Sequence, residues 1–135
     1  MSSEPKSTAG EKICITSQGV NLDSQVDQRF GRCQYFLIID TATLKFEVIK
    51  NPNVEAMGGA GVRSGQFISE RQVKAVLTGN VGPNAFQTLK SAGIKVITGV
   101  SGTVSEAIKK YNKSRFKHTQ TPSVSSKFGM PSKEK

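Results

Sequence analysis

Residues 57–61 read MGGAG, and they stand between a run typical of a β-strand and a run typical of a helix. Residues 81–85, VGPNA, stand at a second junction of the same kind. Backbone N–H groups at the start of a helix lack helical partners and lie at the positive end of its dipole. Glycines there allow an anion to approach the backbone closely. Two such junctions in one small domain predict a pocket for a negatively charged group.

The runs on either side of these junctions predict an α/β domain. Short apolar runs predict strands at 12–16, 35–40, 44–50, 73–78 and 94–98, and helical spacing predicts helices at about 59–71, 83–92 and 104–111. In the 44–50 run Leu44, Phe46 and Val48 alternate with polar residues, which is typical of a half-buried strand in a hairpin with the second strand. The order β-β-β-α-β-α-β-α predicts a mixed sheet, antiparallel at one side and parallel at the other, covered by helices.

The strand directions decide where the glycine junctions lie. If the first and third strands run the same way as the last two, three segments meet at one edge of the sheet: the long 17–34 connection, the helix start at 58–61 and the turn at 79–84. Ligands of open α/β sheets bind at the carboxyl ends of parallel strands. We therefore expect the pocket at this edge.

Composition limits the class of protein. The 135 residues suit one domain at 12–112, and the polar ends, 1–11 and 113–135, are typical of disordered tails. The net charge of +9 favours anionic partners. Two cysteines, no secretory signal and no apolar run of membrane-spanning length favour a cytoplasmic protein without a membrane partner.

The densest chemistry lies in residues 29–33, RFGRC. Arginine forks suit phosphate or carboxylate oxygens, and a thiolate at Cys33 near the two guanidinium groups would be stabilised. Such a thiolate could bind a soft metal or an iron–sulfur cluster. The alternative is that Arg29 and Arg32 are simply solvated and Cys33 is a small core residue. The thioether of Met57 is a second candidate soft ligand, whereas Cys14 within the first strand suits the core.

Several kinds of catalytic site find no support in the sequence. The one histidine, His118, stands in the C-terminal tail, and neither a paired-carboxylate pattern nor a nucleotide P-loop occurs. These observations argue against hydrolytic and nucleotide-dependent enzymes.

Taken together, the motifs resemble those of the dinitrogenase iron–molybdenum cofactor biosynthesis family. The resemblance rests on Phe30-Gly31-Arg32 before an apolar strand, Gly58-Gly59-Ala60-Gly61, Gly79-x-Val81-Gly82-Pro83-Asn84-Ala85 and Ala92-Gly93-Ile94, and it covers about residues 12–112.

The resemblance implies a ribonuclease-H-like fold, with a five-stranded mixed sheet, its second strand antiparallel, and helices on both faces. It also implies a non-enzymatic protein that binds an anionic iron–sulfur or iron–molybdenum–sulfur cluster, which can be absent from the isolated protein, and that exchanges it with cluster donor or acceptor proteins. The implied binding residues are Arg29, Phe30, Gly31, Arg32, Cys33, Met57, Gly58, Gly59, Ala60, Gly61, Gly82 and Asn84, with Cys33 or Met57 as the metal ligand.

Arg29 departs from the family pattern, because family carriers often have histidine before Phe-Gly. Without that imidazole, electrostatic attraction becomes the main expected means of holding a cluster. Two other functions stay open: a regulatory or scaffold protein with a protein partner, and nucleic-acid binding through the basic tail residues Lys113, Arg115, Lys117 and Lys127.

Overall fold

The structure, a computed structural model, describes residues 11–54 and 58–113. Its elements in chain order are β1 (Lys12–Ser17), β2 (Tyr35–Asp40), β3 (Phe46–Lys50), α1 (Ala60–Ser69), β4 (Ala75–Leu77), α2 (Pro83–Ser91), β5 (Lys95–Ile97) and α3 (Val104–Asn112). The predicted element order is therefore confirmed. Met57, His118 and nearly all of the two predicted tails lie outside the described residues.

The five strands form one mixed sheet in the order β3-β2-β1-β4-β5. β2 is antiparallel to both β1 and β3, whereas β1, β4 and β5 are parallel. The expected sheet with an antiparallel second strand is confirmed. Because the three parallel strands end at the same edge, the loops that follow them come together there.

Alternation along the strands divides the core into two halves. Cys14, Phe36 and Val76 pack with α1 and α2 on one face of the sheet. Their chain neighbours Ile15 and Leu37 point to the other face and pack with α3. Helices thus cover both faces, and the parallel strands are buried on both sides, as their near-continuous apolar character requires.

The prediction of a half-buried strand at 44–50 was wrong in two respects. The strand begins at Phe46, because Leu44 has a φ of 65° and belongs to the turn. Phe46 and Val48 are 39% and 37% exposed. β3 is the edge strand, and the apolar residues of α3 pack over the strands further in. Ile49, on the opposite face, is the β3 residue that packs against the core.

The end of α2 and the start of α3 follow the predicted signals. Gly93 has a φ of 78°, and the N–H groups of Gly93 and Ile94 donate to carbonyls in the last turn of α2. Thr103 and Glu106 form a complete capping box at the start of α3. Among the described residues, no helix has the length and apolar character needed to cross a bilayer.

Candidate functional site

A cavity of about 490 Å³ lies at the edge where the parallel strands end. Three segments form it: the loop after β1, the start of α1 and the start of α2. The lining residues are Arg29, Phe30, Gly31, Arg32, Gly59, Ala60, Gly61, Val62, Asn80, Gly82, Pro83, Asn84 and Ala85. Nine of the residues named from the sequence are thus brought to one place, as the strand directions required.

The two helices that begin at the cavity have no side-chain caps. Gly59 and Gly82 are their N-cap residues, no side-chain hydrogen bond caps either one, and neither first turn contains an acid. The first helical bonds run from Arg63 N to Gly59 O and from Phe86 N to Gly82 O. The preceding N–H groups therefore lie outside the helical ladder.

The third helix, unlike α1 and α2, has side-chain caps at its start. In α3, which begins away from the cavity, the Thr103 hydroxyl accepts from Glu106 N at 3.1 Å and the Glu106 carboxylate accepts from Thr103 N at 2.9 Å. The helix start outside the cavity is thus capped by the chain itself. The N–H groups at the starts of α1 and α2 have no side-chain cap of this kind, and they lie at the positive ends of two helix dipoles.

Gly31 allows the loop after β1 to rest directly on the start of α1. A Cβ at this position would lie 2.9 Å from both N and Cα of Gly61, closer than real side chains come to backbone. On its other side the loop meets the turn before α2, where Phe30 N donates to Asn80 O at 3.2 Å. The loop is therefore fixed between the two helix starts.

Asp27 holds the beginning of this loop from inside the protein. Its side chain is buried, and its two oxygens accept hydrogen bonds from Arg29 N at 3.1 Å and from Gln34 N at 3.2 Å. The same carboxylate lies 3.5 Å from Arg29 Nε. One buried carboxylate thus ties both ends of the 29–34 segment together and orients an arginine at the cavity.

Asn51 and Ser64 hold the middle of the loop. The Asn51 amide donates to the carbonyls of Gly31 and Cys33, both at 3.0 Å, and the Ser64 hydroxyl donates to Gly31 O at 3.0 Å. Neither residue belongs to a motif in the sequence, and their partners are far away along the chain. Asn80 is different, because its place in the predicted 79–84 turn was a signal that could have identified it.

Two guanidinium groups stand at the cavity. The Arg29 side chain is 61% exposed while it contacts the almost fully buried Asp27. Arg32 also lines the cavity, and its Nη1 donates to Val54 O at 3.4 Å, a carbonyl of a residue outside the lining. The cavity therefore combines backbone donors from two helices with two arginine side chains.

The expectation of an accessible thiolate at Cys33 was wrong. Its side chain is fully buried in the core on the α1 and α2 face and does not line the cavity. Burial raises the pKa of this thiol, and its proximity to Cys14 and Asp27 raises it further. The thiol is therefore protonated, and the alternative of a small core residue describes it. Cys14 is a core residue as expected, and burial raises its pKa as well.

Two further predicted positions do not contribute to the described cavity. Gly58 is described but does not line it, and Met57 lies outside the described residues. Within residues 11–54 and 58–113, no three side chains of His, Cys, Asp or Glu come together in a way that could hold a metal ion.

Comparison with models of sequence families shows which family this chain matches. The model of the family described as dinitrogenase iron-molybdenum cofactor matches residues 11–114. A relative from Methanocaldococcus jannaschii, described as an uncharacterised protein, is 30% identical over 90 residues, which are 64% of this chain and 76% of the relative.

Solved structures show the same fold. The apo form of the orange protein from Desulfovibrio gigas has a TM-score of 0.81 and 35% identity, covering 84% of this chain and 96% of that one. A candidate NifB protein from Thermotoga has a TM-score of 0.71 and 38% identity over 84% of this chain and 98% of its own. A candidate dinitrogenase from Methanocaldococcus jannaschii, 20% identical with a TM-score of 0.64 over 84% and 98% of the two chains, shares the fold.

Proposed function

Because this chain belongs to the dinitrogenase iron–molybdenum cofactor family, we propose that it binds and carries an anionic metal–sulfur cluster. The cargo is an iron–sulfur or iron–molybdenum–sulfur cluster or a precursor of one, and the protein performs no catalysis on it. The observation that carries this proposal is that two uncapped helix starts and two arginines share one cavity. The binding domain in this proposal is residues 12–112.

The donor set suits sulfide better than it suits a bare metal ion. The sulfur atoms of such clusters carry negative charge, and hydrogen bonds from backbone N–H groups to these atoms are a common means of holding and tuning them. The lining residues supply N–H groups and guanidinium groups, whereas the thiol of Cys33 is buried and protonated. The cluster is therefore held by charge and hydrogen bonds, with its own sulfur atoms facing the protein.

The dimensions of the cavity support a cargo of this size. Its volume of about 490 Å³ lies within the range of small-molecule sites, roughly 300–1,000 Å³. The orange protein of Desulfovibrio gigas was solved in a form described as apo, which names a ligand-free state of that protein. We propose that the corresponding cavity here also alternates between an empty and a loaded state.

Transfer of the cluster requires donor and acceptor proteins, which are the partners we propose. The open cavity at the sheet edge gives such proteins access to the cargo. Both cysteines are free, which suits a reducing compartment, and we place the protein in the cytoplasm.

An anaerobic titration with tetrathiomolybdate, a coloured molybdenum–sulfur dianion, tests the proposal. After desalting, molybdenum and acid-labile sulfide per protein are measured for the wild type, Arg32→Gln and Arg63→Gln. We expect the wild type to retain the anion and Arg32→Gln to lose most of it. Arg63 is exposed on α1 and does not line the cavity, so Arg63→Gln removes the same charge and should behave as wild type.

Two results would contradict the proposal. Equal loss in both variants would mean that net charge alone attracts the anion. A wild type that retains neither tetrathiomolybdate nor a synthetic four-iron cluster would favour the alternative of a regulatory or scaffold protein whose partner is another protein.

A further inference from the structure

The lysines and the arginines lie at opposite ends of the molecule. Three of the four arginines among the described residues, Arg29, Arg32 and Arg63, stand at the cavity end, in the loop after β1 and in the first turn of α1. Eight of the nine described lysines lie at the other end, where β1, β3, β4 and β5 begin and the three helices end, and all eight are exposed. We call this surface the lysine edge, and it consists of Lys12, Lys45, Lys74, Lys90, Lys95, Lys109, Lys110 and Lys113.

Three of these lysines are neighbours on adjacent strands. Lys74 N donates to Lys12 O at 2.8 Å, and Lys95 N donates to Lys74 O at 3.0 Å. Because neighbouring strands lie about 4.8 Å apart, these three backbones span about 10 Å. Lys45, directly before β3, lies on the far side of the sheet, about 19 Å from β5. The lysine edge is therefore a broad positively charged surface.

Carboxylates at this end of the molecule neutralise only part of the charge. None of the eight lysines forms an ion pair with a carboxylate within residues 11–54 and 58–113. Glu11 accepts a hydrogen bond from the Tyr111 hydroxyl at 2.6 Å, and Asp40 accepts two from backbone N–H groups of its own turn. With Glu47 and Glu70, four acids stand at or near an edge that carries eight lysines. An excess of positive charge remains.

The needs of the fold account for only some of these lysines. Lys90, Lys109 and Lys110 stand in the last turns of α2 and α3, where a cation interacts favourably with the helix dipole. Lys12 and Lys74, in contrast, stand at the beginnings of β1 and β4, which are inner strands, so they protect no sheet edge from unwanted pairing. Like charges on neighbouring strands repel each other. The unpaired lysines therefore indicate an anionic partner.

We propose that the lysine edge binds the phosphate backbone of a double-helical nucleic acid without reading its sequence. A duplex carries one negative charge per about 1.7 Å of its axis, so that about six phosphate charges pass the 10 Å occupied by Lys12, Lys74 and Lys95. Ammonium groups on flexible side chains bind phosphates as point charges and need no fixed geometry. The inference is independent of the proposed cluster binding, because the cavity lies at the opposite end of the molecule.

The composition of the lysine edge favours a duplex over two other anionic partners. The centres of protein–protein interfaces are depleted of lysine and are anchored by aromatic side chains. Single strands bind by stacking successive bases on several aromatic side chains. Phe46 is the one exposed aromatic side chain in the described part of the chain. An acidic protein and a single strand therefore match this surface less well than the phosphates of a duplex do.

Binding of a fluorescent DNA duplex of about 20 base pairs to the full chain, measured by anisotropy between about 0.05 and 0.2 M salt, tests the inference. The edge variant combines Lys12→Gln, Lys74→Gln and Lys95→Gln. The tail variant removes the same charge from residues 114–135 and combines Arg115→Gln, Lys117→Gln and Lys127→Gln. Urea unfolding of both variants, compared with that of the wild type, shows that they are folded.

We expect the wild type to bind the duplex with an affinity that falls steeply as salt is added. The edge variant should bind at least about tenfold more weakly at low salt. Its slope of log affinity against log salt should be smaller by about three, one for each lysine. The tail variant should bind within about twofold of the wild type, because its lysine edge is intact.

Three results would overturn the inference. The first is a wild type that does not bind the duplex at the lowest salt concentration. The second is an equal loss of affinity in both variants, which would indicate net charge, or a loss in the tail variant alone. The third is tighter binding of polyglutamate or of a single strand than of the duplex, because an acidic protein or a single strand would then be the better partner.

Discussion

Arg32 and Cys33 are neighbours in the chain, but the fold gives them opposite environments. Arg32 lines the cavity, whereas Cys33 points into the core and is fully buried. A buried thiol keeps its proton because the charged form is poorly solvated. The chemistry of the segment therefore belongs to its arginines and to its backbone, and the sulfur contributes packing.

The buried thiols predict a specific dependence of stability on pH. Burial raises the pKa of Cys33 above the ordinary value of 9.0, so the folded state keeps a proton that the unfolded state loses. Stability is therefore unaffected by this group below about pH 9 and falls above it, by about 1.4 kcal/mol per pH unit. Cys14 is buried in the same way and adds a fall of its own, so we expect Cys33→Ala to reduce the total fall by about half in urea unfolding measured from about pH 8 to 10.5.

A control separates the thiol from the loss of packing. Val73 is also buried in the core on the α1 and α2 face, and Val73→Ala should lower stability without changing its pH dependence. If Cys33→Ala and the wild type lose stability in parallel above pH 9, Cys33 ionises normally and is not buried as described.

The buried carboxylate of Asp27 is expected to affect both the stability of the fold and the retention of tetrathiomolybdate. Asp27→Asn replaces one of the two accepting oxygens with an NH₂ group, so that either Arg29 N–H or Gln34 N–H loses its acceptor. We expect the free energy of unfolding to fall by about 1–3 kcal/mol. Retention of tetrathiomolybdate should also fall, because the loop that carries Arg29 is released. Urea unfolding and the molybdenum assay measure the two effects.

Asp40 offers a matched control for Asp27. Its carboxylate also accepts two backbone N–H groups, from Ala42 and Thr43, and these bonds lower its pKa. It is the half-buried last residue of β2, at the opposite end of that strand from the cavity. Asp40→Asn should leave retention unchanged, and a loss equal to that of Asp27→Asn would remove the argument for a local effect.

At the scale of elements, capping distinguishes α3 from the two helices that begin at the cavity. α3 has a complete capping box, whereas α1 and α2 begin with glycine and no side-chain cap. A side-chain cap stabilises a helix but occupies the N–H groups that an anion would use. An anion-binding site of the kind we propose requires uncapped helix starts, and the missing caps make the two helices less stable.

Gly82 provides a test of this exchange between stability and binding. It has the extended conformation, φ −79° and ψ 174°, that N-cap side chains adopt. We expect Gly82→Asp to raise the free energy of unfolding by a few tenths of a kcal/mol, because its side chain caps α2. We also expect it to abolish retention of tetrathiomolybdate, because its carboxylate occupies the N–H groups at the helix start and repels the anion. Thermal unfolding and the molybdenum assay provide the two measurements.

Gly82→Ala is the control at the same position, since it adds a Cβ without a cap or a charge. It should not gain the stability of the aspartate variant and should retain more anion. If both variants lose tetrathiomolybdate equally, the added Cβ excludes the anion sterically. The result would then give no support to binding by the backbone N–H groups.

At the scale of the whole molecule, the sheet keeps the core and the cavity in different places. Both faces are used for the core, and the cavity lies at the edge where the parallel strands end. The net charge of +9 adds a field that attracts anions to the molecule.

This balance of local and long-range attraction predicts the response to salt. The screening length falls from about 14 Å to about 4 Å between 0.05 and 0.5 M salt, so distant charges cease to contribute while contacts in the cavity persist. We expect the dissociation constant of tetrathiomolybdate, from absorbance titration, to rise several-fold and then level off. Affinity that continues to fall without a plateau would indicate binding to the general positive surface.

The order of strands and helices, and the edge of the sheet where the cavity lies, follow from the amino-acid sequence alone. The glycine junctions at 58–61 and 81–85, the capping box at Thr103 and the alternation of apolar residues are local patterns, and local patterns set strand, helix and turn. Once the strand directions were inferred, the meeting of the three loops followed from topology.

The surroundings of each side chain at that edge depend on the three-dimensional fold. Cys33 is buried because Asn51 and the core enclose it, and the 29–34 loop is held by Asp27 and Ser64, whose partners no spacing reveals. Phe46 is exposed because the core residues of α3 pack with the inner strands and not with the edge strand β3. The physical reason is that burial and hydrogen-bond partners depend on which distant segments come into contact, and that information is absent from any local pattern.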